Sequence, residues 1–326
     1  MSHFAIIGGG AWGTALGCLY ARAGHAPRIL ARDPGTVAAI NESRRNLRYL
    51  PDTPLPAGLT ATSDPAEALA GARTILFVVP AQSLRTVAAD LAPHIADDAL
   101  AILCSKGIER ETGRFATDVL AEVLPGRPLA VLSGPSFATD VARGLPTAVT
   151  IAAETEEAAD AAARRLSTET FRGYATADMR GVEAGGALKN VLALAAGAVA
   201  GRGLGASAQA AIVTRGFVEL RRLGAALGGR PDTLMGLSGL GDLVLTCSSA
   251  QSRNFAYGMA LGRGDDRTGL KLAEGVFTAE IAARLAQEHG IDAPIIATVA
   301  AILAGKLNID AAIEALLARP LKRETV

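Results

Sequence analysis

The sequence predicts a two-part α/β chain: a doubly wound, mostly parallel sheet followed by an all-α C-terminal domain. Three observations carry this. Short, continuously apolar runs alternate with amphipathic stretches over the first 180 residues, the pattern of a sheet covered by helices on both faces. A glycine cluster, Gly8-Gly9-Gly10-Ala11-Trp12-Gly13, joins the first apolar run to the first helical stretch. From Met179 onward the apolar residues recur at helical spacing and the strand pattern stops.

Strands are expected at 4–8, 28–31, 74–79, 100–104, 129–132, 147–152 and 171–175. Between them, 13–23, 36–43, 83–91, 113–124 and 156–166 have helical periodicity. In the second part helices are expected at 182–200, 206–227, 252–262, 273–289, 294–304 and 308–318. Gly201-Arg202-Gly203, Gly228-Gly229-Arg230-Pro231 and Gly264-Asp265-Asp266 separate them. The join falls at residue 180, giving domains 1–179 and 180–326.

Length and composition agree with this division. A chain of 326 residues is long enough for two domains. Half of it is apolar but only 4% is aromatic, so the cores must be built from Ala, Leu, Val and Ile. The 32 basic and 32 acidic residues cancel, which removes any bulk attraction to nucleic acid or an anionic membrane. Cys18, Cys104 and Cys247 lie far apart and form no CxxC, arguing against a disulfide framework or a zinc site and for a reducing cytoplasm. The N-terminus has no basic n-region of a signal peptide. The most apolar stretch, 187–200, is broken by Lys189 and Asn190 and is expected to be too short for a membrane span.

Gly8, Gly10 and Gly13 match G-x-G-x-x-G directly after a strand and at the start of a helix. The first glycine allows the tight turn, the second lets a pyrophosphate approach the backbone, and the third lets the helix pack on the strand. The pyrophosphate then sits at the helix N-terminus. This is the fingerprint of a Rossmann-type dinucleotide site, with Ala11 and Trp12 inside the turn. An acidic residue about 20 residues further on would select NAD. Here Arg32 stands in that place, with Asp33 next to it. A guanidinium pairs with a 2′-phosphate, so NADPH is favoured. NAD stays open through Asp33, and Arg32 can also be read as a solvated loop residue.

Lys189 lies in Gly186-Ala187-Leu188-Lys189-Asn190-Val191, a run that otherwise reads as a buried helix. An ammonium there must be paired, or burial lowers its pKa. Such an environment turns a lysine into a general acid/base near neutral pH. The bland alternative is a lysine that snorkels to water. Two loops follow strand C-termini, where open α/β sheets bind ligands. One carries Ser105-Lys106-Gly107-Ile108, and the other Ser133-Gly134-Pro135-Ser136-Phe137-Ala138. Lys106 could place a cation beside a substrate oxygen, and Gly134 and Ser136 could offer donors. Downstream, Gly239-Leu240-Gly241-Asp242-Leu243 leads to one carboxylate that either poises Lys189 or caps a helix. Ser252-Arg253-Asn254 opens a helix where a phosphate could be held, with Ser252 also suited to N-capping. Glu274 opens another helix, and capping is its bland explanation. His3, His25, His94 and His289 fall outside the segments assigned to the cleft, so lysine is the remaining candidate base.

Taken together, the segments Gly8–Ala15, Ser105–Ile108, Ser133–Ala138, Gly186–Asn190, Gly239–Leu243 and Ser252–Asn254 resemble the bacterial NAD(P)-dependent glycerol-3-phosphate dehydrogenases. The resemblance runs over essentially the whole chain, and Ser-Gly-Pro-Ser and Ala-Leu-Lys-Asn are its most specific parts. It implies a cleft between a Rossmann domain and a helical domain, with Lys189 as proton acceptor from the C2 hydroxyl and Lys106 and Asp242 as its catalytic neighbours. It also implies that Lys106, Gly134, Ser136, Lys189, Asp242, Ser252, Arg253 and Asn254 contact the substrate. By the same resemblance Ala11, Trp12, Arg32, Lys106, Ala138, Arg253, Leu272 and Glu274 contact NAD or NADP. The implied partner is a small phosphate ester that feeds phospholipid synthesis, with no nucleic acid and a homodimer left open. Rival readings are a lysine-dependent 3-hydroxyacid or ketopantoate-type reductase of the same architecture, and a non-catalytic dinucleotide sensor.

Overall fold

The structure, a computed structural model, describes residues 3–266, 268–270 and 273–318. The N-terminal part interleaves strands and helices: β1 (His3–Ile7), α1 (Ala11–Arg22), β2 (Ala26–Leu30), α2 (Pro34–Asn41), β3 (Thr60–Thr62), α3 (Pro65–Leu69), β4 (Thr74–Phe77) and α4 (Leu84–Leu91). It continues with β5 (Leu100–Leu103), α5 (Ala116–Val123), β6 (Leu129–Ser133), α6 (Ala138–Ala142), β7 (Thr147–Ala153), α7 (Glu156–Leu166) and β8 (Phe171–Thr176). The strands form one sheet in the order β3-β2-β1-β4-β5-β6-β7-β8. All neighbours are parallel except β6 and β7. The first connections run outward to β3 and then return across β1 to β4, so the order reverses between β1 and β4. Ligands of open α/β sheets bind at that reversal.

Strand alternation gives each face of the sheet its own core. Phe4 and Ile6 point into one, with Ile29 and Leu76. Ala5 and Ile7 point into the other, with Ile75 and Phe77. Both faces are apolar, which is why the strands read as continuous hydrophobic runs.

The C-terminal part is helical: α8 (Met179–Gly201), α9 (Ala206–Ala226), α10 (Pro231–Met235), α11 (Asp242–Cys247), α12 (Arg253–Arg263), α13 (Glu274–Glu288), α14 (Pro294–Leu303) and α15 (Ile309–Leu317). A π-helical turn, Leu237–Gly241, leads into α11. At the junction with the sheet, Asp178 caps α8 by accepting from Gly181 N at 2.8 Å. Every residue from Gly181 to Gly197 is buried. By length and composition α8 could cross a membrane, longer than expected from sequence, but 78% of its most apolar window is packed inside the protein. Lys189 and Asn190 do not interrupt it, because both find polar partners in that interior.

α8 and α12 lie against each other on glycine. A Cβ added to Gly197 would collide with the Phe255 carbonyl, and one on Gly201 with that of Met259. Likewise Gly258 sits on the Leu194 carbonyl and Gly262 on that of Ala198. With no side chains between them, the two backbones touch. Further along, Asn254 Nδ2 donates to Asn190 Oδ1 at 2.8 Å. The pairs 190/254, 194/258 and 198/262 advance together, so both helices run in the same direction and the start of α12 meets the middle of α8.

Most elements match expectation, with differences of physical origin. β1 ends at Ile7 rather than at Gly8, because Gly8 already turns at φ +123°. α1 starts at Ala11 and α2 at Pro34, each earlier than the apolar periodicity indicates. β3, α3, α6, α10 and α11 are too short to generate a period.

Candidate active site

The glycine turn is shaped by two close backbone contacts, one with the sheet and one with α1. A Cβ on Gly8 would stand 2.6 Å from the Val78 carbonyl at the end of β4, and one on Gly13 would strike the Gly8 carbonyl. Above Gly10 a Cβ would meet nothing within 4 Å. The turn is therefore tight below and open above, as close approach of a pyrophosphate requires. α1 has no side-chain cap at Gly10, which leaves its first N–H groups to an anion. Trp12 Nε1 is buried without a hydrogen-bond partner. Asn46, which the sequence reading missed, braces the turn from below: its Nδ2 donates to the Gly9 carbonyl at 3.0 Å and to Thr14 Oγ1 at 2.8 Å. These features fit a dinucleotide phosphate group.

At the end of β2, Arg32 is exposed. Asp33 is engaged as the N-cap of α2, accepting from Gly35 N at 3.3 Å, Thr36 N at 3.1 Å and Thr36 Oγ1 at 2.7 Å. The Thr36 hydroxyl bond leads the causes that hold its carboxyl below the usual range.

Two glycines of α8 bring the remaining groups together. A Cβ on Gly185 would lie 2.8 Å from the Ser238 carbonyl, and one on Gly186 2.8 Å from Ser133 Oγ and 3.5 Å from Lys106 Cγ. The π turn and the loops after β5 and β6 therefore dock against the helix backbone. Lys189 follows one helical turn later on the same side. Its Nζ donates to Asp242 Oδ1 at 2.8 Å and to Thr246 Oγ1 at 2.6 Å. The other oxygen of Asp242 accepts from Lys106 Nζ at 2.7 Å, and Lys106 also donates to the Gly134 carbonyl at 3.0 Å. Lys189 and Asp242 are 6% and 2% exposed, so neither is a surface group and snorkelling does not describe Lys189.

Burial lowers the Lys189 pKa to about 8, with the Asp242 carboxylate opposing the shift and the Lys106 ammonium adding to it. Burial also works against the charged form of Asp242, yet Lys106 and Lys189 outweigh it and hold the carboxyl below its usual range. Two ammonium groups around one carboxylate leave the site with net positive charge. Each ammonium has three donors and uses two on protein, so each keeps one for a substrate oxygen.

A second chain of bonds ties the surroundings to this centre. Asn190 Nδ2 donates to the Lys106 carbonyl at 3.0 Å, and Asn254 Oδ1 accepts from Gly275 N at 2.9 Å. With the Asn254–Asn190 bond, these contacts link the loop after β5 to α8, α12 and α13. Ser252 is the N-cap of α12, accepting from Phe255 N at 3.3 Å. Arg253 is exposed in the first helical turn. Glu274 opens α13, and its Oε2 is buried without a partner. Burial raises its pKa, opposed by the Ala81 backbone and the Arg253 charge. Ser136 Oγ donates to the Gly134 carbonyl at 3.0 Å, and Gly134 takes φ +150° where a Cβ would lie 2.9 Å from Val149 Cα. Ala138 begins α6 on the same rim. Leu272 lies outside the described residues.

Thr246 and Asn46 were not singled out from sequence, and Asn190 entered only as a break in an apolar run and as part of the Ala-Leu-Lys-Asn segment. Thr246 had one signal available: it follows Asp242 by one helical turn in α11.

The family model described as NAD-dependent glycerol-3-phosphate dehydrogenase N-terminus matches residues 3–159, and that of the C-terminus matches residues 178–314. The chain belongs to the NAD-dependent glycerol-3-phosphate dehydrogenase family. Among curated members, glycerol-3-phosphate dehydrogenase [NAD(P)+] of Mesorhizobium japonicum is 62% identical over 98% of this chain and 93% of that protein. The Brucella canis protein of the same name is 59% identical over 99% of each. Among solved structures, glycerol-3-phosphate dehydrogenase from Coxiella burnetii superposes with a TM-score of 0.92 at 39% identity, covering 98% of this chain and 99% of that one. A ketopantoate reductase from Ralstonia eutropha shares the fold at a TM-score of 0.60 and 20% identity, covering 93% of this chain and 98% of that one. As a family member the protein is an NAD(P)-dependent oxidoreductase.

Proposed function

We propose that the protein interconverts sn-glycerol 3-phosphate and dihydroxyacetone phosphate with NAD(P)(H), in the cytoplasm, supplying glycerol 3-phosphate for phospholipid synthesis. The observation that carries the reading is the buried Lys189–Asp242–Lys106 cluster at the C-terminal edge of the sheet, in a chain of this family. We assign the domain division to 179/180, within the first turn of α8.

The nicotinamide, when bound, exchanges a hydride with C2 of the substrate. In reduction, the C2 carbonyl oxygen becomes an alkoxide and takes a proton from the Lys189 ammonium. In oxidation, the Lys189 amine takes the proton of the C2 hydroxyl. A pKa near 8 lets one residue serve both directions at neutral pH. Lys106 stabilises the developing negative charge, a preorganised contribution made strong by burial. Asp242 holds both ammonium groups in place, and Thr246 fixes the Lys189 side chain.

Arg253 and Asn254, at the start of α12, bind the substrate phosphate. We assign Gly134, Ser136 and Ser252 to the same substrate site, Ser252 through its neighbourhood because its hydroxyl serves the cap. This remote binding free energy orients C2 for transfer. On the cofactor side we assign Gly8, Gly10, Ala11, Trp12, Gly13, Arg32, Lys106, Ala138, Arg253 and Glu274. NADPH is preferred, because Asp33 is committed to capping while Arg32 is not. A homodimer is compatible with the reading.

The deciding measurement is dihydroxyacetone phosphate-dependent oxidation of NADPH and NADH, run beside ketopantoate and 3-oxo acids. Turnover confined to dihydroxyacetone phosphate supports the assignment. Faster turnover of a keto acid would move the protein to the rival reductase class, and cofactor binding without any turnover would make it a sensor.

A further inference from the structure

The loop after α2 brings a second cation to the end of β2. Asn46, fully buried in that loop, is bonded to Gly9 and Thr14, so the residues around it are fixed beside the glycine turn. Arg44 precedes it at φ +52°, a conformation costly for a residue with a Cβ, and donates to the Leu59 carbonyl at 2.7 Å. Arg45 donates to the Pro51 carbonyl at 3.4 Å. These two arginines serve the loop itself.

Arg48 does not. Its guanidinium lies 5.2 Å from the ring centroid of Tyr49, which is 41% exposed. It acts electrostatically on Asp33 from across the loop, and Arg32 is the residue before Asp33. Neither Arg32 nor Arg48 has a hydrogen-bond or ion-pair partner among the described residues. Neither guanidinium is hydrogen-bonded to a carboxylate among the described residues, and Asp33, next to Arg32 in sequence and within electrostatic range of Arg48, is engaged by the N-terminus of α2. A ribose diol offers such a pair no charge to neutralise. A 2′-phosphate offers a dianion that each guanidinium can pair with by paired N–H donors.

We propose that Arg48 is a second specificity residue, bracketing the 2′-phosphate of NADPH together with Arg32. This rests on the reading of the glycine turn as a dinucleotide site. The contact of ring and guanidinium restrains the Arg48 side chain against Tyr49, an interaction worth less at exposed sites than at buried ones.

The test is direct binding, independent of turnover. NADPH and NADH are titrated by their fluorescence, and 2′,5′-ADP and 5′-ADP by calorimetry, into the wild type, Arg48→Ala, Arg48→Lys and Arg32→Ala. Arg48→Ala should weaken NADPH and 2′,5′-ADP about tenfold or more, the loss of one charge-assisted contact. NADH and 5′-ADP should change by less than about threefold by the same reasoning. Arg48→Lys should fall between, since it keeps the charge and loses the fork. The unliganded melting temperature should not move, because Arg48 is exposed. Equal losses for both nucleotides, or no loss for either, would overturn the proposal. Dihydroxyacetone phosphate turnover in the wild type reports on the functional reading separately. Its absence alongside Arg48-dependent 2′-phosphate binding would remove that reading and leave this inference standing.

Discussion

Lys189 Nζ lies 2.8 Å from Asp242 Oδ1, inside a cluster that bulk water hardly reaches. The pair sets both the position and the charge of the proton donor. Its removal should therefore abolish chemistry before it affects nucleotide binding. Lys189→Ala should lower kcat by about 10²–10⁴, the typical contribution of a general acid/base, while NADPH affinity stays within a few-fold. Steady-state rates and a fluorescence titration on the same preparation check this. Near-normal kcat would mean that another group carries the proton.

Asp242→Asn should shift the pH profile in a defined direction. The carboxylate raises the Lys189 pKa against burial, so neutralising it lets that pKa fall below about 8. Reduction needs the ammonium, and its loss with rising pH should then begin at lower pH than in the wild type. Oxidation needs the amine, and its rise should move the same way. Stability should also drop, because breaking one buried ion pair typically costs about 3–5 kcal/mol. Profiles of kcat/KM in both directions that match the wild type would disconnect Asp242 from the proton.

Arg253→Ala should act on the phosphate. Arg253 is exposed in the first turn of α12, beside the buried Asn254. Loss of a charge-assisted bond of about 1.5–3 kcal/mol raises KM for dihydroxyacetone phosphate at least tenfold. The nucleotide KM should be measured too, since Arg253 also acts on Glu274. An unchanged substrate KM would place the phosphate elsewhere.

Glu183 gives a prediction about stability. It is buried in α8 and accepts from Thr117 N at 2.9 Å and Thr117 Oγ1 at 2.6 Å, joining α8 to the first turn of α5. Burial raises its pKa to about 7. The folded protein therefore holds a proton there that the unfolded chain releases near 4.5. The corresponding stability is full below 4.5 and is lost as pH rises through 7. Glu183→Gln should flatten the dependence of the melting temperature on pH in that window. A wild-type slope that survives the substitution would assign the proton to another group.

The sheet, the glycine turn and the long helices were legible because each has a local period or a local turn requirement. The antiparallel β6–β7 pair was not, since both strands are apolar on both faces and direction is set by the connection through α6. The three-residue β3 and the π turn at 237–241 are too short to carry a pattern. Within the site, Lys189 and Asp242 stood out as charges in apolar or glycine-rich surroundings. Asn46, Asn190 and Thr246 are small polar residues whose importance comes only from what the fold puts opposite them. Asp33 and Ser252 illustrate the reverse: both are helix caps, a structural use that sequence allows but does not select.

The contact between α8 and α12 bears on how the site tolerates change. Side chains that separate two helices are compressible and exchangeable, so the gap they define drifts with composition. Here the gap is set by carbonyl oxygens resting on glycine Cα atoms, a dimension with no adjustable part. The distance from Lys189 on one helix to Arg253 on the other is therefore gauged by the backbone itself. A single methyl group at Gly197 or Gly258 would lift α12 away and displace the phosphate grip from the proton donor, although neither glycine lies among the residues assigned to substrate or cofactor. Variants at these positions would resemble active-site mutants in their kinetics although every assigned side chain keeps its chemical identity.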